Sequence, residues 1–135
     1  MVDPDLLRRK TAQVLHHCAR LNLRVDVTAD ELDANEDLYN TVLMDLQQAI
    51  QACIDLAAHV CVDDGLGAPV GPAEAFALLA RAGRITPELS ARLAGAAGLR
   101  NLIVHRYSEI DSNKILSVLS NNLDDLRAFV QALHR

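Results

Sequence analysis

Late in the chain, Arg100-Asn101-Leu102-Ile103-Val104-His105-Arg106-Tyr107 sets an arginine, an asparagine, a histidine and a tyrosine among aliphatic residues. Only 3% of the sequence is aromatic, so a tyrosine two residues after a histidine stands out. Arginine keeps its charge at any working pH and grips phosphate oxygens as a planar fork. Histidine is the side chain best suited to passing a proton near neutrality. Together they suit chemistry on a phosphodiester. His105 can pass a proton to or from an oxygen of such a bond. Arg100 can hold the non-bridging oxygens and offset the charge that builds on phosphorus. Asn101 can bond the scissile phosphate or orient a neighbour, and Arg106 can add a phosphate contact. No carboxylate–histidine cluster of the usual kind accompanies these residues, so this chemistry calls for no metal and no cofactor.

Helix geometry constrains the arrangement. Positions five apart on an ideal helix lie about 140° apart around its axis. Arg100 and His105 therefore do not converge from one regular helix, whereas Asn101 and His105, four apart, share a face. Either the helix is distorted here, or the site is assembled from two copies across a two-fold axis. The second arrangement predicts a composite cleft at a homodimer seam, with both histidines near the axis. A plainer reading also exists, in which the arginine pairs with an acid, the histidine caps carbonyls and the tyrosine packs.

The spacing Arg-x-x-x-x-His, with Asn directly after Arg and Tyr two after His, resembles the signature of the HEPN superfamily. Within it, the pattern looks like HepT, the ribonuclease toxin of HEPN/MNT toxin–antitoxin pairs. Similar residues recur at Tyr39, along Leu46–Ile50 and Asp55–Ala57, over Ala73–Leu79 with Gly83 after it, and at Asn122–Leu126 with Phe129. The likeness runs from Leu6 to Leu133. It implies an all-α, HEPN-type bundle that dimerises with the motif cleft at the two-fold seam. It further implies metal-independent RNA cleavage leaving a 2′,3′-cyclic phosphate, with Arg100 and His105 catalytic. Tyr107 matches the tyrosine that the cognate MNT nucleotidyltransferase antitoxin modifies with AMP. A bulky anion there would occupy the phosphate-binding cleft and repel RNA. The chain departs from the family where Leu102 replaces a common basic residue and Arg106 a common glycine. Gln51 stands where glutamate is common, and Asp45 where arginine often lies.

Composition frames these readings. A length of 135 residues fits one domain, residues 1–135, able to bury about two-thirds of its unfolded surface. No apolar run approaches the roughly 20 residues of a membrane span. The start, Met1-Val2-Asp3-Pro4-Asp5, lacks the order of a signal peptide, so a cytoplasmic protein is expected. Cys18, Cys53 and Cys61 are odd in number and fit no Cys-x-x-Cys scheme, which favours reduced, packed thiols. His16-His17-Cys18 and His59-x-Cys61 could be metal ligands, but adjacent helical residues point to different sides. A net charge of −5 weighs against an electrostatic nucleic-acid binder unless basic groups are concentrated locally. Arg81, Arg84, Arg92, Arg100 and Arg106 do fall in one stretch, though the first three read as ordinary solvated charges.

The elements that must position the motif are helical throughout. Asp3-Pro4 opens a helix to about Asn22, and Thr28-Ala29-Asp30-Glu31 is a capping-box pattern leading into the next. A long helix is expected from Glu36 to Asp63, with an apolar face broad enough to contact two sides. A further helix starts near Pro72 and stops before Gly83; another starts at Thr86-Pro87-Glu88 and runs toward the motif. The last is expected to run unbroken from Asp111 or Ser112 to Leu133. This is a bundle of four or five helices. Two functional classes remain open: a ribonuclease toxin silenced through Tyr107, or a catalytically silent HEPN module that binds and regulates a nucleotidyltransferase. A plain helical scaffold is the third.

Overall fold

The computed structural model describes residues 2–134, and every regular element among them is helical. Helix α1 spans Pro4–Asn22, α2 Ala29–Ala34, α3 Glu36–Asp63, α4 Pro72–Arg81, α5 Pro87–Arg106, α6 Ser112–Asn121 and α7 Leu123–Leu133, with a 3-10 turn over Tyr107–Glu109 between α5 and α6. The expected boundaries rest on local chemistry that the structure contains. The Asp3 side chain accepts from the Asp5 amide, and Thr86 from that of Leu89. Thr28 and Glu31 close the reciprocal capping box. Gly83, just past α4, adopts φ +78°, a left-handed conformation that favours glycine.

Seven α-helices replace the four or five expected. Two causes account for the excess. The capping box nucleates a true helix, α2, whose Leu32 is buried. The long final helix is broken at Asn122, where Asn121-Asn122, both poor helix formers, interrupt the chain. The Asn122 amide nitrogen closes α6 onto the Val118 carbonyl, while its side chain turns to Asp125 at 3.2 Å. The break redirects α7, which packs against α1, α3 and α5.

Helix α3 is the axis of the bundle. Val42, Leu46, Ala49, Ile50, Cys53, Leu56, Ala57, Val60 and Cys61 are buried along it, and α1, α2, α4, α5 and α7 all pack on it. Phe76 of α4 and Phe129 of α7 meet edge to face at 5.5 Å, closing the far side of the core. Asp45, in the middle of α3, is buried. It accepts from Arg20 Nε at 2.9 and 3.1 Å and bonds His17 Nδ1 at 2.8 Å. The acid at this position thus finds its partners on α1, and a buried carboxylate is tolerated because it is paired. Among the described residues no helix is long and apolar enough to cross a membrane.

All three cysteines are buried. Cys18 faces the core while His17 turns to Asp45, and His59 is exposed while Cys61 Sγ donates to the Ala75 carbonyl at 3.4 Å. The two His/Cys patterns therefore do not converge on a common point. Burial pushes the Cys18 thiol up to about 11, with Arg127 lowering it and Asp124 raising it to a lesser extent. Burial also raises Cys53 and Cys61. A folded-state pKa above the ordinary 9.0 means the neutral thiol favours the fold in full below pH 9, and that contribution is lost as pH rises through about 11. At pH 8 the native thiols should resist an aromatic disulfide reagent and react only on unfolding. The urea midpoint should fall between pH 9 and 11. Rapid labelling of the native protein at pH 8 would contradict this packing.

Candidate active site

Helix α5 carries the motif because its start is fixed and nothing interrupts it. Thr86 caps it, Pro87 occupies the first turn, and Glu88 lies where the helix dipole favours an anion. Leu89, Leu93, Ala97, Leu99 and Ile103 are buried. The opposite face, with Asn101 and His105, is exposed. The helix is continuous through Arg106, so the distorted-helix alternative does not describe this chain. Ideal helical spacing sets positions five apart about 140° apart around the axis, so a continuous α5 keeps Arg100 and His105 on different sides.

The motif side chains make few bonds within the protomer. Arg100 is half-buried: one terminal nitrogen donates to Asn101 Oδ1 at 3.2 Å, while its Nε is buried without a hydrogen-bond partner. An orphaned buried donor costs about 1–3 kcal/mol, and such groups often belong to functional sites. His105 is exposed and bonds no other group among the described residues. Among the described residues Arg106 reaches only Glu109, at 3.9 Å, with both side chains well exposed. The other arginines of this stretch divide differently. Arg84 pairs with Asp64 and donates to the Leu133 carbonyl at 3.3 Å; Arg92 bonds Asp125 at 2.9 Å. Arg81 is exposed on α4. The cations that fasten helices together are thus distinct from those gathered at the end of α5.

Arg106 leaves α5 with φ −145° and ψ 38°. A negative φ makes no demand for glycine here, so Arg106 fits this backbone. The next residue, Tyr107, opens the 3-10 turn with its side chain 53% exposed.

The residue that sequence reasoning did not assign a role is Tyr39. From the first turns of α3 its hydroxyl donates to the carbonyls of Tyr107 at 2.5 Å and Ile110 at 2.8 Å, one proton shared between two acceptors. Burial raises its pKa, the bond to Ile110 pulls the other way, and Asp33 adds to the rise. Ser112 Oγ donates to Asp33 Oδ1 at 2.5 Å and ties the start of α6 to α2. The segment after the motif is therefore held at both ends. The signal in the sequence was slight: a tyrosine among few aromatics, near the start of a long helix.

A family model described as Ribonuclease HepT-like matches residues 14–133. The chain is 30% identical over 129 residues to the mRNA nuclease HepT of Shewanella oneidensis, covering 96% of each protein. It is 34% identical over 89 residues to the tRNA nuclease HepT of Aphanizomenon flos-aquae, covering 66% of this chain and 60% of that protein. Among solved structures it superposes on a tri-AMPylated Shewanella oneidensis HEPN toxin in complex with MNT antitoxin, with a TM-score of 0.88, 30% identity and 98% of both chains covered. A toxin–antitoxin crystal structure with AMP-PNP gives a TM-score of 0.87 at 29% identity, covering 96% of this chain and 98% of that one.

Removing only the Tyr39 hydroxyl tests the clamp on the turn. Tyr39→Phe should lower stability by about 1 kcal/mol in urea unfolding. Amide exchange should quicken over residues 107–110 and stay unchanged along α3. Unaltered exchange in that turn would rule out the clamp.

Proposed function

The chain belongs to the HepT-like ribonuclease family, and from that premise we propose that it is a metal-independent endoribonuclease, the toxin of a type VII-like HEPN/MNT toxin–antitoxin pair. The observation that carries the reading is the state of Arg100 and His105. Both stand in the last turns of α5, five residues apart in sequence, and neither is engaged in the ion pairs that fasten the helices.

In the proposed reaction His105 takes the 2′-hydroxyl proton, the 2′-oxygen attacks phosphorus, and the 5′-oxygen leaves with a proton returned to it. The products are a 2′,3′-cyclic phosphate and a free 5′-hydroxyl. Arg100 stabilises the charge on the non-bridging oxygens; its engagement with phosphate would also satisfy the orphaned Nε donor. Asn101, on the same face as His105, and Arg106, free apart from a long contact to Glu109, hold the flanking backbone. Because α5 is unbroken, the cleft draws on two copies: Arg100 of one protomer faces the partner's His105 across a two-fold axis. Support for that seam comes from an apolar groove of about 490 Å³ beside exposed Leu102, lined also by Gly95, Leu99, Val118 and Leu126. Gly95 and Gly98 sit mid-helix at a cost of about 1 kcal/mol each relative to alanine. A Cβ at either would meet nothing within 4 Å of the protomer, so they bare backbone that a second chain can approach.

Control passes through Tyr107. Its exposed hydroxyl displaces pyrophosphate from a nucleoside triphosphate held by the MNT nucleotidyltransferase antitoxin, and the AMP so attached excludes RNA by charge and bulk. The reaction belongs to a protein acting in the cytoplasm, where RNA and nucleoside triphosphates are both present.

Purified wild-type chain should cut single-stranded RNA in the presence of a chelator and leave cyclic-phosphate ends. His105→Ala and Arg100→Ala should each lose at least about 100-fold in rate, with melting temperatures close to wild type. Tyr107→Phe should still cut, yet escape silencing by the nucleotidyltransferase and ATP. Folded wild-type protein with unmodified Tyr107 that leaves RNA intact would instead favour the silent, partner-binding module.

A further inference from the structure

On the side of α5 away from Leu102 lies a second groove, of about 340 Å³, between α5 and the N-terminal half of α3. Leu102 and Val104 are about 160° apart around α5, so the two grooves flank opposite sides of the motif helix. The floor of the second is buried Ile103. Its walls carry Met44, 53% exposed, Val104, 40% exposed, and the ring of Tyr107. Two carboxamides, Asn40 and Gln47, stand seven residues, or about two turns, apart along α3 and complete it. Among the described residues neither carboxamide bonds another protein group.

We propose that this groove takes one unstacked nucleobase. A volume at the low end for ligand sites suits a single flat ring with part of its sugar. An exposed aromatic ring and a thioether offer the faces on which a base stacks. Asn and Gln carry both a donor and an acceptor, as the hydrogen-bonding edge of a base requires. Charge agrees as well: His105 and the Arg106 guanidinium lie between Val104 and Tyr107 in the chain, so a base in the groove would bring its phosphate near Arg106. The groove thus gives the chain a means of preferring one base beside the scissile bond. Two sources can supply that base, the RNA substrate or the adenylyl group carried on Tyr107, and both present the same ring chemistry. This inference rests on the reading of α5 as an RNA-binding site, but not on cleavage taking place.

The test uses the His105→Ala chain, so that RNA is bound and not cut. Short single-stranded RNAs differing in one base, and the same strand with that base removed, are titrated while the side-chain amide resonances of Asn40 and Gln47 are followed. A strand with the favoured base should bind about ten-fold more tightly than the abasic strand. Adding Asn40→Ala and Gln47→Ala should abolish that difference and leave abasic binding as it was. Resonance shifts that occur only in protein bearing AMP on Tyr107 would assign the groove to the adenylyl group instead of RNA. Equal binding of base and abasic strands, with no shift in either form of the protein, would overturn the proposal. So would an Asn40/Gln47 double variant that changes oligomeric state and weakens all strands alike, since the groove would then be a subunit seam. Base binding that persists while the wild-type chain cuts no RNA would separate failure of the nuclease reading from failure of this one.

Discussion

Helix α5 runs without a break from Pro87 to His105 before the chain departs at Arg106, and ideal helical spacing sets Arg100 and His105 about 140° apart; much else in the molecule answers to that constraint. In the proposed reading, one protomer does not bring its own pair to bear on a single phosphate, because α5 keeps the two side chains on different sides. The helix does not unwind; its buried residues continue to Ile103, and the chain leaves it only at Arg106. The proposed composite site would meet that geometry, because a two-fold axis would return the second direction as a partner's side chain. The bare glycine backbone of α5 and the apolar groove beside Leu102 are surfaces suited to such a pairing.

Around that helix the charges are sorted by task. Asp45, Arg20 and His17 bind α1 to α3, Asp64 and Arg84 join the end of α3 to the turn after α4, and Asp125 and Arg92 join α7 to α5. These contacts pair the three carboxylates Asp45, Asp64 and Asp125 with bases on the body of the bundle. What remains near the end of α5 is an arginine with an orphaned Nε, an exposed histidine, an arginine with one distant acid, and a tyrosine on a turn. A net charge of −5 describes the whole chain and conceals this local surplus. The Tyr39 hydroxyl then fixes the turn, so the tyrosine that the reading makes the control point does not drift relative to the helix beside it.

Much of this was legible in the sequence, and the reasons are local. Asp3-Pro4, the Thr28–Glu31 box, Thr86-Pro87-Glu88 and Gly83 are short-range capping chemistry, and each marks a helix end in the structure. The motif was visible by residue type and spacing alone. The division at Asn122 was not, because Ile115, Leu119, Leu123 and Leu126 keep one helical phase across it, and periodicity is blind to an in-phase break. Tyr39 and Asp45 act through contacts with residues distant in sequence. No local pattern announces such a contact. The two grooves beside α5 likewise depend on how α3, α6 and α7 lean against it, which composition does not specify.

The account stands most directly on the claim that Arg100 of one protomer works with the partner's His105. Subunit exchange between purified Arg100→Ala and His105→Ala chains, each inactive alone, tests it through RNA cleavage. Half the dimers would be mixed, and each of those would hold one cleft with both residues intact. About a quarter of wild-type activity should therefore return on mixing. No recovery, with exchange verified by mass, would contradict a cleft shared between two copies.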